Sequence, residues 1–420
     1  MAPLTIVEKI LSRKAGAAVR AGDFVTVPVD ALMIHDSNAS TTIDAFHSFD
    51  SARVMPGTDV IMVMDHFAPC PTEAAANMHI KMRRFASRHH IKLYEEGTGV
   101  GHQLMCEQGH VFPGEIAVGT DSHSCTYGAL NALGTGIGST EAAGVLARRK
   151  MWFRAPETIR VVWHGALPTG VTAKDVALKT VQEIGLRRAI YKVIEFGGEL
   201  ISRLPVEDRM TICNMGVEVG AKAAIMPPDD ILLQWIKKRP GQHRVFEAAE
   251  ADPGCSYSLV LEMDAGLLEP LAACPPMVNL VEPARRLKGK PVNQVVVGSC
   301  TNGRAGDFRA VAGVLAGRKV APGVRLILVP ASQAVLAELL ADGTMKTLVQ
   351  AGGQLIPPGC GPCAGYHGGL VGNKEVVVAT TNRNFTGRMG SREAELYLAS
   401  PLTAAAAALS GMITDPREVM

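Results

Sequence analysis

Asn293-Gln-Val-Val-Val-Gly-Ser-Cys300 decides how this chain is read. Its β-branched core, Val295 to Val297, has the texture of a short strand, taken here from Asn293 to Val297. Glycine, serine and a thiol follow it at once. The same order recurs elsewhere in the chain. Ile61 to Met64 ends at Asp65-His66, Glu115 to Gly119 runs into Asp121-Ser122-His123, and Val376 to Thr380 ends in Thr381-Asn382-Arg383. Open α/β sheets bind ligands beyond the carboxyl ends of their strands. Several sheets are therefore expected to aim their strand ends into one cleft.

Helical segments separate these strands, which makes the class α/β. Helices are expected over Glu73 to His90, with Met78, Met82 and Phe85 on one side, and over Glu141 to Phe153, Ala173 to Ile184, Met210 to Ala224 and Ser332 to Ala341. Further strands are expected over Thr158 to Trp163 and Val324 to Val329. The texture changes at Pro156 and again near Pro283, giving units 1–156, 157–282 and 283–420. At ~150 residues per domain, the length agrees with roughly three.

Composition removes several function classes. Lys+Arg 42 against Asp+Glu 40 leaves a net charge of +2, and aromatic residues are only 5%, so neither charge nor stacking surface argues for nucleic acid. The longest apolar stretch, Ala404 to Ile413, is well short of the ~18 residues of a membrane span. Leu4, Ile6, Val7, Ile10 and Leu11 have helical spacing rather than the form of a signal peptide. Nine cysteines, odd in number and mostly unclustered, do not make a secreted disulfide framework. A reducing cytoplasm is the expected location.

Gly359-Cys360-Gly361-Pro362-Cys363 is the strongest local chemical signal. Its two thiols at C-x-x-C spacing admit three readings. One is a thioredoxin-type redox pair, although Pro357-Pro358 and the late position in the chain do not suit it. Another is closed zinc, with Cys300 as third ligand and His367 as fourth. The third is an iron–sulfur cluster. Full ligation of a cluster takes four thiolates. With only Cys300, Cys360 and Cys363, one iron would stay open and could act as a Lewis acid on a substrate oxygen.

Val297-Gly-Ser-Cys-Thr-Asn-Gly303, Pro358-Gly-Cys-Gly-Pro-Cys363 and Asn382-Arg-Asn-Phe-Thr-Gly-Arg388 resemble the aconitase superfamily. Gly119-Thr-Asp-Ser-His-Ser-Cys-Thr-Tyr-Gly128 and Met210-Thr-Ile-Cys-Asn-Met-Gly-Val-Glu218 fit the same family, in the same order along nearly the whole chain. The branch it resembles is that of the large subunits of 3-isopropylmalate dehydratase and homoaconitase. The resemblance implies three α/β domains around a [4Fe–4S] cluster on Cys300, Cys360 and Cys363. It implies a hydro-lyase that dehydrates and rehydrates a small hydroxy-di- or tricarboxylate.

The same resemblance gives roles to single residues. Asp65 and His66 would help protonate the leaving hydroxyl. His102, Asp121 and His123 would hold substrate and water, with Ser122 among the substrate contacts. Asn214 and Glu218 would flank the cluster. Asn382, Arg383 and Arg388 would bind substrate carboxylates, a task that suits the arginine fork. Taken singly, a histidine after a strand is more often structural, Glu218 would be a solvated helix carboxylate, and a lone arginine a surface group. Cys70, Cys106, Cys125, Cys213, Cys255 and Cys274 read as small buried hydrophobes. Arg83-Arg84 and Arg148-Arg-Lys150 read as exposed helix faces.

There is one departure from the family pattern. The substrate-side loop of the leucine-pathway branch reads His-Asp-Gly-Thr, whereas here it is His35-Asp36-Ser37-Asn38. Serine removes glycine's backbone freedom and asparagine changes the hydrogen-bonding group. His35 and Asp36 remain expected substrate contacts. The substrate stays open among isopropylmalate, homocitrate/homoaconitate and a substituted malate or maleate. Single-chain aconitases also carry a mobile domain with a serine base. The motifs here end before one, so a separate small subunit carrying that swivelling domain is expected. An RNA-binding role of the cluster-free protein is disfavoured by the near-neutral charge.

Overall fold

A computed structural model describes residues 3–49 and 53–420. Three main sheets carry the fold. The first is fully parallel, in the order Lys92–Tyr94, Asp59–Val63, Ala31–His35, Ile116–Gly119, Leu133–Gly136. Every residue of Ala31–His35 is buried, as expected for a strand covered on both faces. The second is parallel, in the order Ala223–Ile225, Val193–Gly197, Thr158–His164, Leu259–Asp264.

The third sheet has seven strands: Val281–Pro283, Leu271–Ala273, Glu395–Ala399, Val376–Ala379, Gln294–Gly298, Arg325–Val329 and Gly353–Leu355. The last five run parallel, and Leu271–Ala273 pairs antiparallel on both sides. This sheet therefore takes in Leu271–Ala273, ahead of the division expected at residue 283, and Val281–Pro283, which straddles it. Hydrophobic cores cover the first and third sheets, and a large cluster joins the second to both.

Two expected helices are shorter than their sequence suggested. The helix Ser139–Arg148 stops where Arg149 turns left-handed (φ 59°). Lys150–Arg154 then forms a strand paired with Phe24–Pro28, burying Met151 and Phe153 while Lys150, Trp152 and Arg154 face out. That two-residue alternation outweighs the helical reading. The expected helix Met210 to Ala224 becomes the α-helix Val206–Asn214, a 3-10 turn Met215–Val219 and the strand Ala223–Ile225. Gly220, at φ 83°, ends the turn. Asn214 and Glu218 thus stand on two different helical pieces. The helix Ala173–Arg188 is interrupted at Gly185 (φ 68°).

Candidate active site

The first sheet presents its groups at the ends of three neighbouring strands. Asp65 and His66 follow Asp59–Val63, and Asp65 Oδ1 lies 2.7 Å from His66 Nδ1. The other Asp65 oxygen accepts from the Gly101 amide at 2.7 Å. With Nδ1 held, His66 turns Nε2 towards the cleft, 3.6 Å from Asp121 Oδ2. Adjacent residues on a regular strand would point apart. Asp65 and His66 share a site because the strand has already ended.

Asp121 is the centre of a buried network. Its Oδ1 accepts from His102 Nε2 at 2.8 Å and from the His123 amide at 2.7 Å, and lies 3.2 Å from His123 Nδ1. Burial works against its charge, but the bonds from His102 and His123 hold it well below the usual carboxylate range. His123 Nε2 reaches Glu218 Oε1 at 2.7 Å. Glu218 is gripped in turn by Arg383 Nε at 3.0 and 3.1 Å, and Arg383 Nη2 donates to Ser122 Oγ at 2.8 Å. Burial and the charge of Arg383 lower the pKa of His123, yet its bonds to Asp121 and Glu218 leave it raised. The expected residues His102, Asp121, Ser122, His123, Glu218 and Arg383 therefore form one connected chain across three sheets.

The third sheet brings the thiols. Cys300 follows Gln294–Gly298. Gly298 is at φ 134°, and a Cβ there would fall 2.0 Å from the Val329 carbonyl oxygen, so this turn requires glycine. Arg304, almost wholly buried, fixes the turn by donating at 2.9 Å to the carbonyls of both Cys300 and Thr301. Cys360 and Cys363 come from the loop after Gly353–Leu355. The Cys360 amide donates to the Asp65 carbonyl at 2.9 Å, so the thiol loop is tied to the acid–base loop. All three thiols are buried and free of disulfides.

The surroundings fit an anionic sulfur centre. Asn214 Nδ2 and Asn382 Nδ2 point to Cys300 Sγ at 3.3 and 3.4 Å. Asn214 Oδ1 also accepts from Thr301 at 3.0 Å and from Asn382 at 3.2 Å, locking both amides in place. A hydrogen bond from Cys360, helped by Arg388, holds the Cys363 thiol well below its usual value. Arg388 Nη2 is 3.9 Å from Cys363 Sγ, and its buried Nε has no partner among the described residues.

His35 lines the cleft with its ring 4.4 Å from that of His66. Its Nε2 meets the Thr120 carbonyl at 3.0 Å and its Nδ1 meets Ser37 Oγ at 3.0 Å, which assigns the proton to Nε2. Burial, with His66 alongside, lowers its pKa. Asp36 behaves differently from the expectation. It is fully buried behind the cleft, accepting from the amides of His66 (3.0 Å) and Phe67 (2.9 Å) and lying 3.0 Å from His79 Nε2. It is a support for the His66 loop, because those amide bonds use both of its oxygens.

Lys174 carries no motif and escaped the sequence reading. It lies wholly buried in the helix Ala173–Arg188, and its Nζ donates to the Thr380 carbonyl at 3.0 Å and to the Thr381 carbonyl. Burial lowers it to about 8, against the pull of Cys363 and Cys300. The only available signal was a lysine in the first turn of a helix, beside the N-cap Thr172, a place that normally favours acidic groups. The cleft bounded by His35, His66, Asp121, Arg383 and Arg388 measures about 520 Å³. Its lining is polar and combines the cations Arg383 and Arg388 with the acid–base groups His66 and Asp121.

The family model described as aconitase family (aconitate hydratase) matches residues 8–283 and 276–411. The chain belongs to the aconitase family. Among curated members, the 3-isopropylmalate dehydratase large subunit 1 of Methanopyrus kandleri is 46% identical over 414 residues, covering 98% of this chain and 99% of that protein. The homoaconitase large subunit of Thermus thermophilus is 44% identical over 419 residues, covering 99% and 98%. The crystal structure of Thermococcus kodakaraensis aconitase X in its holo form matches with a TM-score of 0.51 at 10% identity, over 85% of this chain and 84% of the other. That likeness carries the aconitase-family fold alone. The family makes this chain a hydro-lyase.

Proposed function

We propose that this chain is the cluster-bearing large subunit of a 3-isopropylmalate dehydratase, which interconverts 2- and 3-isopropylmalate by removing water and adding it back. The observation that carries the reading is the tie between thiols and acid–base groups: the Cys360 amide donates to the Asp65 carbonyl, and Arg388, which lines the same cleft as His66 and Asp121, lies 3.9 Å from Cys363 Sγ. Relatives named 3-isopropylmalate dehydratase large subunit support the substrate. A [4Fe–4S] cluster on the three cysteines would supply the Lewis acid for the departing hydroxyl.

The chain's own residues do the rest. His66, oriented by Asp65, presents Nε2 to the cleft and moves the proton that the leaving hydroxyl needs. Asp121 fixes the rings of His102 and His123, and His102 Nδ1, which has no partner among the described residues, is left to meet substrate or water. Arg388, whose Nε has no partner among the described residues, and Arg383, braced by Glu218, bind substrate carboxylate. Asn214 and Asn382 donate to sulfur, which stabilises the thiolate form. The proton on the neighbouring carbon goes to a base from a separate small subunit, consistent with the words large subunit in the relatives' names. Among the described residues no helix is long and apolar enough to cross a membrane.

A second reading within the same chemistry is favoured by the His35 loop. Ser37 Oγ caps His35, and Asn38 Nδ2 donates to the Thr120 carbonyl at 2.8 Å, both on the cleft wall. These changed groups leave homoaconitate, or a substituted malate or maleate, as the alternative substrate. The test is anaerobic reconstitution of the chain with its cluster and a small subunit, followed by assays on each hydroxy acid. Turnover of isopropylmalate above the others is expected. Turnover of homocitrate or a malate instead would move the substrate, and no hydration of any of them would overturn the reading.

A further inference from the structure

Behind the His66 loop, outside the cleft, three donor atoms of different kinds converge. Cys70 comes from the loop before the helix Glu73–His89, His79 from that helix, and Glu96 from the turn after Lys92–Tyr94. Cys70 Sγ lies 3.1 Å from His79 Nδ1 and 3.6 Å from Glu96 Oε1, and that oxygen lies 2.9 Å from His79 Nδ1. A tetrahedral ion with bonds of ~2.0–2.3 Å to such ligands needs ligand edges of about 3.3–3.6 Å. The three atoms already stand within about half an ångström of one face of that tetrahedron.

The histidine is prepared from behind. Its Nε2 is held by the buried Asp36 carboxylate at 3.0 Å, and the ring itself is fully buried. A carboxylate on the far nitrogen of an imidazole orients the ring and raises the basicity of the ligating nitrogen. None of Cys70, His79 or Glu96 has a part in the proposed hydration chemistry.

We propose that Cys70, His79 and Glu96 form a second metal site, which takes one zinc-class divalent cation through Sγ, Nδ1 and a carboxylate oxygen. The fourth position falls to water on the partly exposed Glu96 side. The mixed sulfur, nitrogen and oxygen donors favour zinc over magnesium or calcium. Binding releases to solvent the Cys70 thiol proton and the proton on His79 Nδ1. Arg83 Nη2, 3.4 Å from Glu96 Oε1, keeps its stronger contacts with Glu95. The site is a positioning device. Through His79 and Asp36 it reaches the amides of His66 and Phe67, which Asp36 holds.

The test is an anaerobic Co2+ titration of the full chain, read by thiolate-to-cobalt charge transfer and tetrahedral d–d bands, with Zn2+ as competitor. A stoichiometric, micromolar signal is expected that Zn2+ displaces. It should lose its charge transfer in Cys70→Ser and persist in the triple variant Cys300→Ser, Cys360→Ser, Cys363→Ser, which separates this site from the cluster thiols. Glu96→Gln should weaken binding about ten- to a hundredfold, and gives a second readout if Cys70→Ser folds poorly. A charge-transfer band unchanged in Cys70→Ser, affinity unchanged in Glu96→Gln, or no stoichiometric binding in the parent chain would overturn the site.

Discussion

The first and third sheets are wound alike and used differently. Among the five parallel strands of each, the first along the chain is central. The second and third strands lie to one side and the fourth and fifth to the other: around Ala31–His35 in one sheet, around Gln294–Gly298 in the other. The winding reverses between first and fourth strands in both. His35 meets Thr120 at one reversal point, and Cys300 meets Asn382 at the other. Topology has chosen the same place twice, while the side chains have chosen acid–base chemistry once and sulfur chemistry once. The two reversal points are joined by the bond from Arg383 Nη2 to Ser122 Oγ, each residue following the fourth parallel strand of its sheet.

The largest expected effect comes from the third sheet. Cys300→Ser should abolish both cluster absorption and activity while leaving the far-ultraviolet circular dichroism intact. Full activity in that variant would end the division of labour. In the first sheet, His66→Gln should keep the visible cluster spectrum and lower kcat by ~10²–10⁴-fold, the usual share of a general acid or base. Loss of the cluster along with the rate would show that the two sheets do not have separable roles.

The two sheets also differed in how legible they were. The strands Asp59–Val63, Ile116–Gly119, Gln294–Gly298 and Val376–Ala379 are marked by an apolar run followed at once by polar groups, so Asp65, His66, Asp121, Cys300 and Arg383 could be placed at strand ends from sequence. Ala31–His35, Lys92–Tyr94, Leu133–Gly136, Gly353–Leu355 and Glu395–Ala399 are not among the expected strands. What joins them could not. The bonds from Glu218 to His123 and Arg383 link residues 95 and 165 positions apart. Asp36 had the right motif but the wrong direction, since only the folded chain shows its oxygens occupied by the His66 and Phe67 amides. Lys174 lay in an ordinary helical pattern, and its role depends on carbonyls more than two hundred residues away. The strand Lys150–Arg154 was masked by a helix running into it, because its partner Phe24–Pro28 is remote.

Between the sheets, Arg383 is the joint. Arg383→Lys should raise KM by about ten- to a hundredfold, since one ammonium cannot serve Glu218, Ser122 and a substrate carboxylate together; the lost charged bonds are worth ~1.5–3 kcal/mol. Steady-state kinetics with the cluster verified intact would show it, and an unchanged KM would remove Arg383 from substrate binding. Lys174→Met should act on stability, costing about 3 kcal/mol by leaving the Thr380 and Thr381 carbonyls without their donor. Denaturant unfolding of the two proteins measures this, and equal midpoints and slopes would refute it.

The smallest effect is a difference in acid sensitivity. The loop after the third sheet's first strand is held by Arg304, whose guanidinium bonds to the Cys300 and Thr301 carbonyls do not titrate in acid. The corresponding support in the first sheet is the Asp36 carboxylate. Burial opposes its charge, but the bond from His79 and the nearby His66 bring it from 3.8 to about 2. A depressed folded-state pKa gives stability that is present above the unfolded value and lost as pH falls through the folded one. Asp36 should therefore contribute about 2 kcal/mol or less at neutral pH, fading between pH ~4 and ~2. Asp36→Asn should lower the urea midpoint at pH 7 and flatten its decline over that acid range. A mutant curve parallel to the parent's would mean that this carboxylate does not carry the acid response, and that the two loops are held with equal indifference to pH.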